Sequence, residues 1–96
     1  MALFVLLCTD KPDSLDLRMA TRPTHLDWIE ANRAAVKLAG PFLGPDDKPT
    51  GSLFILEAAD AAAAKALADQ DPYAVAGLFA ASEIKPWRLV IGGFQG

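Results

Sequence analysis

His25 is the only histidine in this 96-residue chain, and an imidazole does acid–base work near neutral pH once a neighbour fixes its tautomer. A fixed carboxylate is available at Asp71. The alanine-rich run that reaches Gln70 has to stop there, because Pro72 disfavours the α conformation at Asp71 and supplies no backbone N–H. Pro72 suits the first position of a new short helix, so Asp71 becomes its N-cap and its carboxylate is held by backbone N–H groups. Paired with Asp71, one nitrogen of His25 would be held and the other left for a substrate. The same two residues admit a structural role, in which Asp71 only caps the turn and His25 fastens its own helix to that segment.

Three further residues have side chains suited to a pocket around such a pair. Arg22 precedes His25 by one helical turn and can bind an anionic or phenolic oxygen, or simply be solvated. Ser52, at the start of a strand, can donate to a substrate oxygen or bond locally. Tyr73, just past Asp71, offers a hydroxyl to line the pocket or act as an acid, while its ring suits packing against a dimer partner. Trp28 and Trp87 read as core or interface, and Cys8 as inert packing inside an apolar strand. One histidine and one cysteine make a zinc site improbable, and Asp10, Asp13 and Asp16 lack the glycine and terminal glutamate of a calcium loop. Gly44 and Gly51 are not followed by the Lys-Ser/Thr of a phosphate loop. No metal and no cofactor are expected.

The elements that must position these residues can be taken in order. Ala2 to Thr9 is a run of bulky apolar residues, expected to be a strand covered on both faces. Asp10 to Ala20 reads as a polar loop, with Asp13, Asp16 and Arg18 in it, longer than a strand–helix connection requires and so a candidate functional segment. A helix is expected from near Thr21, with Pro23 in its first turn, to Ala39, where Gly40-Pro41 stops it; Leu26, Ile29, Val36 and Ala39 would form its buried stripe. Phe42-Leu43-Gly44 and Ser52 to Glu57 read as the strands of a hairpin about the polar Pro45–Gly51 turn. Asp60 caps a second helix, Ala61 to about Asp69. After the Asp71-Pro72 corner come a helical turn to Gly77 and a strand from about Ala80 to Lys85; Pro86 interrupts it, and Trp87 to Ile91 would be an added edge or exchanged strand.

This βαββαβ order implies an α+β, ferredoxin-like sandwich: a four-stranded antiparallel sheet with two helices on one face, residues 1–96 making one domain. The other sheet face would be apolar and bare, so two subunits are expected to stack their sheets as a homodimer. Nine basic against twelve acidic residues, net −3 with no long block of either sign, argue against nucleic acid, which needs a basic stripe. The apolar N-terminal stretch has no basic leader and is too short to span a bilayer, so no membrane role is expected. A lone cysteine fits a cytoplasmic, reducing setting.

Arg22-Pro23-Thr24-His25-Leu26-Asp27-Trp28, Ala39-Gly40-Pro41-Phe42, Gly51-Ser52-Leu53-Phe54-Ile55, Asp71-Pro72-Tyr73 with Ala76-Gly77-Leu78, and Ile84-Lys85-Pro86-Trp87 stand in an order and spacing that resemble the YciI (YCII-related) family. The resemblance implies the dimeric α+β barrel fold of muconolactone isomerase and its kin. It also implies a His–Asp dyad, falling here on His25 and Asp71, which is the proposed active site of a family whose members are mostly uncharacterised; a related dehydrochlorinase acts on a chlorinated hydroxyquinol. The expected function is therefore a cofactor-free small-molecule enzyme, a lyase or isomerase moving a proton through His25. The alternatives are a ligand-binding or protein-interaction module with a structural His–Asp pair, and, with less aromatic support around His25, a cofactor-free oxygenase.

Overall fold

The computed structural model describes residues 1–93. Its elements are β1 (Ala2–Asp10), α1 (Leu15–Ala31), β2 (Val36–Leu43), β3 (Pro49–Ala58), α2 (Ala61–Ala68), α3 (Pro72–Val75) and β4 (Phe79–Trp87). The strands form one antiparallel sheet in the order β2-β3-β1-β4. This is the ferredoxin-like arrangement. Strand alternation sends Phe4, Leu6 and Cys8 of β1 into the core while Leu3, Val5 and Leu7 face the other way, half-covered. Leu6, Cys8, Val36, Phe54, Leu56 and Ala68 make the main core, with Trp28 and Ile29 of α1 packed against it.

β3 is a central strand and approaches β1 closely at one point. A Cβ placed on Gly51 would run into the backbone carbonyl of Cys8, so only glycine lets the two strands pair there.

The first helix differs from the expectation at both ends. The segment from Asp10 to Ala20 is not a long loop: after a turn in which Asp13 takes a positive φ of 57°, α1 begins at Leu15. Pro23 lies inside the helix rather than in its first turn. It is tolerated because it sits on the solvent side, where the carbonyl freed by its missing N–H can be met by water. The helix stops at Ala31, where the Asn32 side-chain amide donates to the Trp28 carbonyl at 2.8 Å. Val36 and Ala39 therefore belong to β2, not to a helical stripe.

Gly40-Pro41 runs through β2, and Pro86, expected to interrupt the last strand, is paired with Phe4 inside β4. Both are edge strands, the one place in a sheet where proline's missing donor costs little. Residues 88–93 are not a strand, so the expected edge or exchanged strand at Trp87–Ile91 reduces to Trp87 as the last residue of β4. The hairpin is present with longer strands than expected, β2 beginning at Val36 and β3 at Pro49, because Pro49, Thr50 and Gly51 lie in the sheet instead of belonging to the turn. The caps are as expected: Asp60 accepts from the Ala63 N–H at 2.8 Å, and Asp71 from the Tyr73 N–H at 3.0 Å. Among the described residues no helix is long and apolar enough to cross a membrane.

Candidate active site

Starting α1 at Leu15 puts Arg18, Arg22, His25 and Ile29 at spacings of four, three and four, which is one face of a helix. That face looks across a cavity of about 340 Å³ towards Ser52 and Phe54 of β3, Ala39 and Pro41 of β2, and Tyr73 of α3. The volume suits one small organic molecule.

His25 and Asp71 meet at the inner wall. Both are buried, and the imidazole Nδ1 lies 2.7 Å from Asp71 Oδ1. The same oxygen accepts the Tyr73 N–H, so the N-cap bond inferred from Pro72 also aims the carboxylate at the ring. A carboxylate can only accept, so Nδ1 carries the proton and the lone pair of the neutral imidazole is on Nε2. Among the described residues Nε2 has no protein partner, yet it is not one of the sealed polar atoms, and its ring lines the cavity. Asp71 Oδ2 is sealed and unpartnered. It leaves the carboxylate dependent on the imidazole for compensation, an arrangement that stabilises the imidazolium formed when Nε2 takes up a proton.

Tyr73 is placed differently from the expectation. Its ring is only 2% exposed and stacks on His25, with centroids 3.9 Å apart and planes 15° from parallel. A ring clamped between elements of its own chain is not available to a dimer partner. Burial raises the Tyr73 phenol above its usual value, with the charges of Arg18 and Arg22 opposing, so it stays a neutral O–H donor at ordinary pH.

Ser52 is held by Arg18, which the sequence reading places in a loop and not beside His25. Arg18 forms a two-pronged ion pair with Asp10, Nε to Oδ2 at 2.7 Å and Nη2 to Oδ1 at 3.0 Å, and donates from Nη2 to Ser52 Oγ at 2.7 Å. Its guanidinium carbon lies 4.6 Å from the centre of the Tyr73 ring. Burial works against this cation, but the bond to Asp10 and its charge outweigh it and the pKa is raised, so Arg18 remains charged. The signal was the placement of Arg18 seven positions before His25, which acquires meaning only once both are known to share a helix. Arg22 lines the cavity, is exposed, and makes no ion pair among the described residues. Among the described residues no three of His, Cys, Asp and Glu come together as a metal-ligand set.

Cys8 lies in the buried core beneath the sheet's helical face. Burial pushes its thiol up to about 12 from 9.0, with Asp71 and Asp10 acting the same way and Arg18 against them. Above pH about 9 the unfolded chain loses this proton while the folded chain keeps it, so its contribution to stability is full below that pH and is lost as pH rises towards 12. Urea midpoints measured from neutral to alkaline pH should therefore fall more steeply in the wild type than in Cys8→Ala. Equal slopes would show that the thiol ionises as readily folded as unfolded.

A family model described as the YCII-related domain matches residues 2–88. Protein YciI of Escherichia coli is 35% identical over 96 residues, an alignment covering 92% of this chain and 98% of that protein. Among solved structures, the 5-chloro-2-hydroxyhydroquinone dehydrochlorinase TftG of Burkholderia phenoliruptrix AC1100, in complex with 2,5-dihydroxybenzoquinone, superposes with a TM-score of 0.82 at 34% identity, covering 90% of this chain and 93% of that one. A dimeric ferredoxin-like protein from Jannaschia sp. CCS1 shares the fold at 17% identity, with a TM-score of 0.52 and coverage of 93% and 100%.

Proposed function

The chain belongs to the YCII-related family, and from that premise we propose that its cavity carries out cofactor-free proton transfer on a small oxygenated organic molecule, with His25 as acid and base and Asp71 as the residue that orients it. One observation carries this reading: Nδ1 of His25 is held at 2.7 Å by a buried carboxylate while, among the described residues, Nε2 is left without a protein partner beside a cavity. In the forward step Nε2 takes a proton from a carbon or hydroxyl of the substrate, and the electron pair left behind moves into the conjugated oxygen. The imidazolium then either returns the proton to another atom, which is isomerisation, or keeps it for solvent while the pair expels a leaving group, which is elimination. The similarity to TftG, a dehydrochlorinase, supports the second outcome and an oxygenated ring as substrate. Arg22, Ser52 and Tyr73 supply a cation and two hydroxyls around that ring.

A second reading has one observation in its favour. Asp71 also caps α3, so the pair fastens α1 to the segment after α2. A fastening needs neither an open Nε2 nor a cavity beside it. The two readings separate on turnover: with a panel of small phenols and enolisable acids in heavy water, proton exchange followed by NMR is lost in His25→Gln if the pair is catalytic and unchanged if it is structural.

We also propose that the chain works as a homodimer. The sheet face away from the helices carries Leu3, Val5, Leu38 and Leu53 around an apolar depression flanked by the exposed Trp87 and Leu89. A second copy of the same face is a self-complementary cover for it, and the dimeric Jannaschia protein shows that the fold accommodates one. Light scattering at micromolar concentration should give twice the chain mass. A monomer at that concentration would remove the dimer from the picture.

A further inference from the structure

We propose that Arg18 and Ser52 form an oxyanion-binding end of this cavity, so that the substrate is a single ring whose enolate or phenolate oxygen docks there while His25 exchanges a proton further along α1. This deepens the proton-transfer reading above and rests on it. Arg18 is 4% exposed and lines the cavity wall. Buried guanidinium groups are costly unless their donors are used, and a purely structural arginine would be expected to use all of them. This one does not. Nε and Nη2 are committed to Asp10 and Ser52; the Tyr73 phenol lies near enough to the guanidinium to act as a neutral partner, but among the described residues no carboxylate or carbonyl meets Nη1, and it is not one of the sealed polar atoms.

Ser52 tells the same story. Its Oγ accepts from Arg18, so its own proton is free to be donated, and no protein acceptor takes it among the described residues. Two donor groups, one carrying a full positive charge, are thus left without a carboxylate or carbonyl acceptor on one wall of a cavity among the described residues. Asp10 neutralises Arg18 along the edge it occupies and leaves the Nη1 edge open. Arg22, one turn on, adds a second cation on the solvent side. The neutral phenol of Tyr73 lies against the Arg18 guanidinium.

The spacing sets the size of the ligand. Seven residues at about 1.5 Å each place Arg18 roughly 10 Å along the helix from His25. The Arg18 guanidinium carbon and the centre of the His25 ring lie 4.6 and 3.9 Å from the centre of the same Tyr73 ring, so the two groups are no farther apart than about one six-membered ring with an oxygen at its end. The chemistry is also consistent. When Nε2 takes a proton from the ring, the electron pair ends on a conjugated oxygen, and a charged donor beside that oxygen stabilises the state formed more than the state before it.

The test uses 2,5-dihydroxybenzoquinone, anionic at pH 8, and its uncharged dimethoxy analogue, titrated calorimetrically into the full chain. Ser52→Ala should weaken the anion about 10-fold, and the double variant Arg18→Met with Asp10→Asn, which leaves no unpaired buried charge, about 100-fold. The dimethoxy compound should change less than about 3-fold in either, since it offers no anion to the site. Circular dichroism establishes that each variant is folded; if the double variant is not, Ser52→Ala together with Arg18→Lys decides the matter, the latter keeping the charge but losing the fork. The proposal is overturned if the folded variants bind the anion as the wild type does, if both compounds weaken alike, or if the wild type does not bind the anion. Its failure is distinct from that of the proton-transfer reading: His25→Gln should bind the anion within about 3-fold of wild type but lose exchange of the ring hydrogen with heavy water. Exchange that survives in His25→Gln sinks the role of His25 and leaves the anion site standing.

Discussion

Replacing His25 by Gln is expected to lower turnover by about 10²–10⁴-fold, the usual contribution of a positioned general acid–base group, while the chain stays folded. Glutamine has nearly the reach of the imidazole and keeps an amide N–H for Asp71, so the buried carboxylate is not abandoned. What it cannot supply is a lone pair that takes up a proton near neutral pH. Asp71→Asn should lower turnover as well, for a different reason. The asparagine carbonyl takes the place of Oδ1 and still accepts from Nδ1, but it brings no negative charge to stabilise the imidazolium that forms when Nε2 takes up a proton. The side-chain carbonyl of the introduced asparagine can still accept the Tyr73 N–H, so the cap at the start of α3 survives. Rates of proton exchange or substrate loss, read beside melting curves, separate the two roles of the pair. A variant that melts as the wild type does but no longer turns over shows chemistry at the pair, and one that melts early with its activity unchanged shows a fastening.

Tyr73→Ala is expected to be the most destabilising single change near the site, by about 3–5 kcal/mol, which for a chain of this size is a fall in melting temperature on the order of 10–40 °C. The ring is almost wholly buried and is shared by three partners: it stacks on His25, meets Phe79 edge-on at 6.1 Å, and lies 4.6 Å from the Arg18 guanidinium carbon. Alanine removes all three and leaves a void between α1, α3 and β4 that close-packed neighbours fill only in part. Tyr73→Phe keeps the ring and should cost about 1 kcal/mol or less, so it isolates the hydroxyl. Thermal unfolding by circular dichroism of the two variants checks the ring, and turnover of Tyr73→Phe checks the hydroxyl. A melting temperature for Tyr73→Ala within a few degrees of wild type would mean that the ring is not the keystone its packing makes it.

The Asp71 cap was legible without coordinates because it rests on local rules, whereas its pairing with His25, 46 residues away, was an expectation carried by the single histidine and the family resemblance. Pro72 makes Asp71 a cap whatever the rest of the chain does, and the only histidine had no competitor. The order of strands and helices was legible on the same footing, from apolar runs, an alanine-rich helix and a Pro/Gly turn. The extent of α1 was not. Pro23 resembles a helix start and Gly40-Pro41 a helix stop, and both cues point the wrong way, because whether a proline is tolerated depends on what its missing N–H would have faced. Pro23 faces solvent inside a helix; Pro41 and Pro86 lie on strands that happen to be sheet edges.

That error hid Arg18. Placed in a loop it has no fixed relation to His25; placed on α1 it stands on the face that carries His25 and reaches Asp10 on β1 and Ser52 on β3. Sequence by itself determined which groups could do chemistry here and in what order the strands and helices come, since composition, capping and periodicity act over a few residues. The tertiary structure decided which groups share a cavity, that the Tyr73 ring belongs to its own chain's site, and that Arg18 is part of it. Those outcomes depend on edge or centre, solvent or core, and contacts between residues far apart in the chain, none of which a local pattern encodes.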